Sequence, residues 1–232
     1  MNWTSKIRTS TTSAMNPGSK QGAATAAAPA GSTIRVANGL KEFLWLLGDA
    51  KQPRILDLGN LSQSTLNFFI EKGFRISTED LLRSWKGFLT TEEETLRRLP
   101  AGEAGQKVSQ ALLAERFLAE AVQYPEESFN GVLVWDLLDY LDSQLLTRLM
   151  DRLYELLQPG GAVLAMFHSR TPERYHRYRV VDAQSIEPIP SPTLTVHARI
   201  FQNREILDLF GKFRSSKTFV GRDQVREALF IK

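Results

Sequence analysis

Carboxylates recur in this chain where apolar runs end. Asp57 closes Arg54-Ile-Leu-Asp57, and Glu79 and Asp80 follow Phe74-Arg-Ile-Ser-Thr78. Glu120 and Ala121 follow Arg116-Phe-Leu-Ala119, while Asp136, Leu137 and Asp139 follow Phe129-Asn-Gly-Val-Leu-Val-Trp135. An ionised carboxylate only accepts hydrogen bonds, so acids so placed suit a ligand that presents hydroxyl and amine donors. His168 comes directly after Ala162-Val-Leu-Ala-Met-Phe167 and is the favoured proton-transfer residue, with Asp139, Tyr140 and His176 as further candidates. A second group lies in the stretch Arg170 to Arg199, where Arg174, His176, Arg177 and Arg179 interleave with Tyr175 and Tyr178. Cations beside aromatic faces suit an anionic acceptor or partner, for which Arg174, Tyr175, His176 and Arg177 are the candidates. The plain alternative is a solvated or dimer-forming arm, which leaves a homo-oligomer open. Three scattered histidines lack metal-ligand spacing, there is no cysteine, and no Gly-x-Ser-x-Gly nucleophile turn occurs.

The elements that must hold these residues alternate. Leu40, Phe43, Leu46 and Leu47 repeat at helical spacing before Gly48, and the run ending at Asp57 and Gly59 reads as a strand. Ser62 can cap a following helix with Leu66, Phe69 and Ile70 facing inward, closed by Gly73. Phe74–Thr78 is a second strand, followed by a long helical, lid-like region that carries Glu92-Glu-Glu94. Arg116–Ala119 reads as a third strand or as a continuing helix. Phe129–Trp135 is a fourth strand, residues 143–157 an amphipathic helix with Leu145, Leu149, Leu153 and Leu156, and residues 162–167 a fifth strand. The link Gly221-Arg-Asp-Gln-Val225 is too short for a crossover helix, so the strands on either side of it must be antiparallel. The prolines of Glu187-Pro-Ile-Pro-Ser-Pro192 suggest a β-hairpin arm over 170–200. Alternating strands and helices imply a parallel sheet covered on both faces, with its site at the carboxyl ends of the strands, near Gly59, Glu79, Glu120 and Asp136.

The 232 residues carry a formal net charge of +3, unevenly spread. Residues 1–41 hold five basic side chains and no acid, the middle of the chain is acidic, and residues 170–232 are basic. Residues 1–33, rich in Ala, Ser, Thr and Gly, read as a disordered tail before a domain over 34–232. The tail accounts for much of the basicity, so composition gives little support to nucleic-acid binding. No apolar run is long enough for a membrane span or resembles a signal peptide, so a cytoplasmic protein is expected.

At the same points the chain resembles the class I S-adenosylmethionine-dependent methyltransferases. The resemblance is carried by Ile55-Leu-Asp-Leu-Gly59, the acids after strand two, Tyr124-Pro-Glu-Glu-Ser-Phe-Asn130, Trp135-Asp-Leu-Leu-Asp-Tyr-Leu141 and Leu157-Gln-Pro-Gly-Gly161, in that order over residues 35–232. It implies a Rossmann-like α/β sheet of seven strands, mostly parallel with an antiparallel C-terminal strand, and S-adenosylmethionine as cofactor. It further implies that Asp57 and the backbone of Gly59, Asn60 and Leu61 face the methionine moiety and that Glu79 or Asp80 receives the ribose hydroxyls. Glu120 and Ala121 would meet the adenine, and Asp136 and Leu137 would lie beneath the sulfonium.

The chain departs from the family in its first turn. Asp57-Leu-Gly-Asn-Leu-Ser-Gln-Ser64 keeps one glycine, with Leu61 and Gln63 near the positions of the missing two. Side chains there are expected either to force a new path around the ligand or to fill its space. A Gly-x-Gly-x-x-Gly pyrophosphate turn is absent as well, which argues against NAD. Two readings follow: a methyltransferase with a divergent cofactor loop and an unknown acceptor, or a catalytically inactive methyltransferase-like binding or regulatory protein. Each acid also has a plain role, with Asp57 accepting loop N–H groups, Glu79 and Asp80 capping a helix, and Trp135 packing in the sheet.

Overall fold

The structure, a computed structural model, describes residues 34–98, 109–191, 198–221 and 223–232. The expected tail over 1–33 and part of the arm, 192–197, lie outside these residues. The ordered elements belong to one unit, Ser32–Lys232.

The central strands are apolar in both registers because both faces are covered. β2 (Arg54–Asp57), β4 (Phe129–Trp135) and β5 (Leu157–His168) pair in parallel, and β3 (Arg75–Thr78) pairs in parallel on the other side of β2. Leu56, Val132, Val134, Val163, Ala165 and Phe167 point into one core, and Ile55, Leu133, Ala162, Leu164 and Met166 into the other. That two-residue alternation is the strand period feeding two layers. α4 (Gln110–Ala121) and α5 (Ser143–Leu156) cover the first face, and α1 (Asn38–Leu47) covers the second. α5 buries Leu145, Leu149, Leu153 and Leu156, and Asp142 caps it by accepting from the Gln144 and Leu145 N–H groups, both at 3.0 Å.

β9 (Val225–Ile231) runs antiparallel to β5 and to β8 (Ser215–Val220), as the short link requires. The main sheet thus has six strands in the order β3-β2-β4-β5-β9-β8. This is a mostly parallel, Rossmann-like α/β sheet with one strand fewer than the expected seven. The missing strand is the one read at Arg116–Ala119, which lies within α4. Leu113, Ala114, Phe117 and Leu118 are buried at helical spacing and the Ser109 side chain caps the start, so the 3.6-residue period prevails over the short apolar run.

Three further strands form a separate sheet, β1-β7-β6. β6 (His176–Asp182) and β7 (Ser185–Pro190) make an antiparallel hairpin, and β1 (Arg35–Val36) adds to the free edge of β7. The hairpin is pinned to the main body where Thr65 Oγ1 of α2 (Gln63–Glu71) accepts the Val180 N–H at 3.0 Å. Within α2, Phe69 is buried, but Ile70 is 59% exposed and does not face inward.

Candidate functional site

Strand ends place the acids in one row. β2 ends at Asp57, β3 leads into Glu79 and Asp80, β4 ends next to Asp136, and β5 ends at His168. Val225, where antiparallel β9 begins, sits opposite His168 on the same edge. Asp57 Oδ1 accepts the Gly59 N–H at 2.9 Å and the Trp135 indole N–H at 2.7 Å. Burial pushes its carboxyl up to about 6 despite those two donors. The indole lies so close to the turn that a Cβ on Gly59 would stand 2.4 Å from Trp135 Cδ1, so only glycine fits there. Trp135 holds this position with φ +54°, a left-handed conformation that is unfavourable for a bulky side chain, and its ring stacks on Tyr178 at 5.5 Å.

Beyond the turn, Glu79 accepts the Tyr124 hydroxyl at 2.9 Å. Asp80 accepts the Asn60 amide at 2.8 Å and the Arg83 N–H at 3.3 Å, which ties the turn to the start of α3 (Leu81–Arg98). Leu61 is 56% exposed and Gln63 also faces solvent, so neither side chain is packed into the body of the domain. Leu61 stands just before the cap residue Ser62 and Gln63 is the first residue of α2. Glu120 is corrected, because it sits on the exposed face of α4 with Ala121 next to it, and neither follows a strand.

A buried aspartate–histidine pair lies on this edge. Asp139 is 1% exposed, and its Oδ2 accepts both the His168 backbone N–H at 2.8 Å and His168 Nδ1 at 2.9 Å. A carboxylate only accepts, so Nδ1 carries a proton, and Nε2 has its lone pair when the ring is uncharged. Nε2 lies 3.7 Å from Asp136 Oδ2, beyond hydrogen-bond distance. Asp136 Oδ2 is instead held by the hydroxyls of Tyr178 at 3.0 Å and Tyr140 at 3.4 Å. Burial pushes Asp136 up to about 7 and also raises Asp139. Burial opposes the charge on His168, but Asp139 and Asp136 outweigh it and lift the imidazole above its ordinary range. Tyr140, Tyr175 and Tyr178 are raised by burial, so their hydroxyls remain donors.

A cavity of about 480 Å³ opens beside His168, roofed by the hairpin residues His176, Tyr178 and Pro188 and floored by Arg35. Of the arm candidates, Tyr175 is buried with its ring edge-on to Tyr140, and His176 lines the cavity. Arg174 and Arg177 face solvent. The structure therefore brings Asp57, Gly59, Asn60, Glu79, Asp80, Asp136, Asp139, His168 and His176 to one edge, and it leaves Glu120, Leu61, Arg174 and Arg177 outside. Sequence reasoning saw Tyr124 only as the start of a motif and Arg35 only as part of the basic N-terminal segment, gave neither a place in the site, and treated Trp135 chiefly as sheet packing. The Trp135 bond joins positions 78 residues apart, which no local pattern announces.

No family model matches the chain, and no curated protein does. Solved structures are similar in path. A 1,6-didemethyltoxoflavin-N1-methyltransferase from Burkholderia thailandensis, crystallised with 1,6-didemethyltoxoflavin and S-adenosylhomocysteine, shares 18% identity over 84% of this chain and 76% of that one, with a TM-score of 0.46. A SAM-dependent methyltransferase from Methanosarcina mazei shares 15% identity over 79% and 93%, TM-score 0.44. Another, from Archaeoglobus fulgidus, shares 13% over 83% and 91%, TM-score 0.46. At such identities the likeness is one of architecture, and the chemistry has to be argued from this chain's own residues.

Proposed function

We propose that the chain is a methyltransferase that uses S-adenosylmethionine and that its acceptor enters the cavity beside His168. The observation that carries this reading is the His168–Asp139 pair: an oriented imidazole with a free Nε2, lining a cavity on the same edge as the acids. The residues at the other end fit the cofactor's donor set. Glu79 and Asp80 are carboxylate acceptors suited to a ribose diol, and the Gly59 turn with Asn60 would hold the amino-acid end, since Leu61 and Gln63 face away. The cofactor supplies an electrophilic methyl group.

The protein's own part is positioning and proton management. A displacement at carbon gains most from alignment of the reactants, which the rigid strand ends provide. Asp139 Oδ2 holds the imidazole through Nδ1 and the His168 backbone through its N–H, so the uncharged ring presents the Nε2 lone pair for an acceptor's proton. Tyr178 and Tyr140 hold Asp136 next to it, and the hairpin that carries Tyr178 covers the edge.

Calorimetric titration with S-adenosylmethionine and S-adenosylhomocysteine tests the reading. Micromolar binding that is lost in Asp57→Ala or Glu79→Ala supports it; no heat at millimolar ligand refutes it. One observation favours a second reading, a binding protein without catalysis: the Trp135 indole already occupies Asp57 and presses on Gly59. Under that reading the titration is silent.

A further inference from the structure

We propose that Trp135 is a gate on the ligand turn: its indole, held down by Tyr178 of the hairpin, closes the place meant for the amino-acid end of a ligand and must swing off Asp57 and Gly59 before one binds. The inference rests on the methyl-transfer reading only for the identity of that ligand.

The end of β4 is built against its own preference. Leu133 pairs with Leu164 and Trp135 with the next residue, Ala165, so β4 carries one residue more than β5 at this step. Such a bulge re-aims the side chain beside it, and bulges recur next to functional sites. Trp135 then takes φ +54°, a conformation that a bulky side chain disfavours, so the closed position stores backbone strain. What the strain achieves is a close contact. The indole N–H donates to Asp57 Oδ1 at 2.7 Å, and the same ring edge stands so near Gly59 that no Cβ fits between them. A ligand donor directed at this oxygen meets the indole first.

Tyr178 supplies the clamp. Its ring centre lies 5.5 Å from that of the indole with 9° between the planes, and its hydroxyl donates to Asp136 Oδ2 at 3.0 Å. One side chain thus grips two consecutive residues at the strand end. The clamp is itself anchored, because two residues on the Val180 N–H donates to Thr65 Oγ1 of α2. Opening the turn breaks the stack and the Asp57 bond but relieves the strain at Trp135. With contributions on both sides, the indole has two positions to choose between, and the affinity for any ligand of the turn is lowered by the fraction of molecules that are closed.

The test labels the four tryptophans of the full chain with 5-fluorotryptophan and reads the exposure of Trp135 from the broadening of its fluorine line by a soluble nitroxide, with Trp135→Phe assigning the line. The ring is 4% exposed and should broaden little in the parent. Asp57→Ala removes the bonded oxygen and leaves Tyr178 in place, and Tyr178→Leu removes the stack; each should raise the broadening about threefold or more. Tyr178→Phe keeps the ring and should match the parent. By calorimetry, S-adenosylhomocysteine should bind Tyr178→Leu about tenfold, and Trp135→Phe about fivefold, more tightly than the parent. In the parent it should increase the broadening of the Trp135 line, where a ligand laid on a fixed ring would reduce it. Thermal melts confirm that the variants fold. Broadening at the parent's level in folded Asp57→Ala or Tyr178→Leu, or binding no tighter in Tyr178→Leu and Trp135→Phe than in a parent that binds, would overturn the proposal. Silence of every protein toward S-adenosylhomocysteine would sink the methyl-transfer reading, and the ligand-free spectra would still decide whether the indole is a gate.

Discussion

Asp57 should weaken the fold in order to keep its charge, and Asp57→Asn measures by how much. The side chain is 3% exposed, and burial raises its carboxyl from 3.8 to about 6. Below pH 3.8 the folded and unfolded chains are both protonated at this group, and it has no effect. Between 3.8 and about 6 the unfolded chain releases its proton first, so stability falls as pH rises; above that window the loss is constant. At about 1.4 kcal/mol per unit, the shift corresponds to roughly 3 kcal/mol near neutrality. Asparagine keeps an oxygen for the Gly59 N–H and the Trp135 indole but carries no charge. Asp57→Asn should therefore be more stable than the parent near neutral pH by up to about 3 kcal/mol, or several degrees in Tm, and the gap should close as pH drops below 3.8. Urea unfolding of both proteins across this range reads the difference directly and cancels the other titrating groups. A variant that is less stable near neutrality, or a gap that does not vary with pH, would show that Asp57 is an ordinary paired carboxylate. Stabilisation together with lost cofactor binding would mark a residue kept for its ligand.

Other perturbations read neighbouring parts of the edge. In Asp139→Asn the His168 imidazole should titrate lower than in the parent, as followed by NMR of labelled histidine, because the carboxylate bonded to its Nδ1 has lost its charge; an unmoved titration would remove Asp139 from its orienting role. Gly59→Ala forces a methyl group against Trp135 and should cost about 1–3 kcal/mol, with Trp135→Ala in the same chain recovering part of it; additive losses would show that the two sites are not in contact. Arg35→Met strands Glu227 in the core and should cost about 3–5 kcal/mol by denaturant unfolding, whereas Arg35→Met combined with Glu227→Gln should cost less; equal losses would show that the pair does not matter.

Much of the architecture was legible because it follows from local periodicity. Short apolar runs marked the strands at residues 54–57, 129–135 and 162–167, and leucines every third or fourth position marked α5. The short link before Val225 left antiparallel pairing as the only geometry, and the structure shows it. Arg116–Ala119 was ambiguous because four residues are too few to separate a strand from a helix, and only the packing of Phe117 and Leu118 against the sheet decides it.

The site divides along the same line. Sequence placed Asp57, Asp136 and His168 at strand ends, since residue type and topology suffice for that. The partners of those residues, and the balance of charge around the cavity, depend on side chains far apart in the chain: Trp135 on Asp57, Asp139 on His168, Glu227 and Asp223 on Arg35. A count of arginines cannot show which of them meet a carboxylate and which meet water. Only the folded chain settles that, because pairing is set by distances that no sequence spacing encodes.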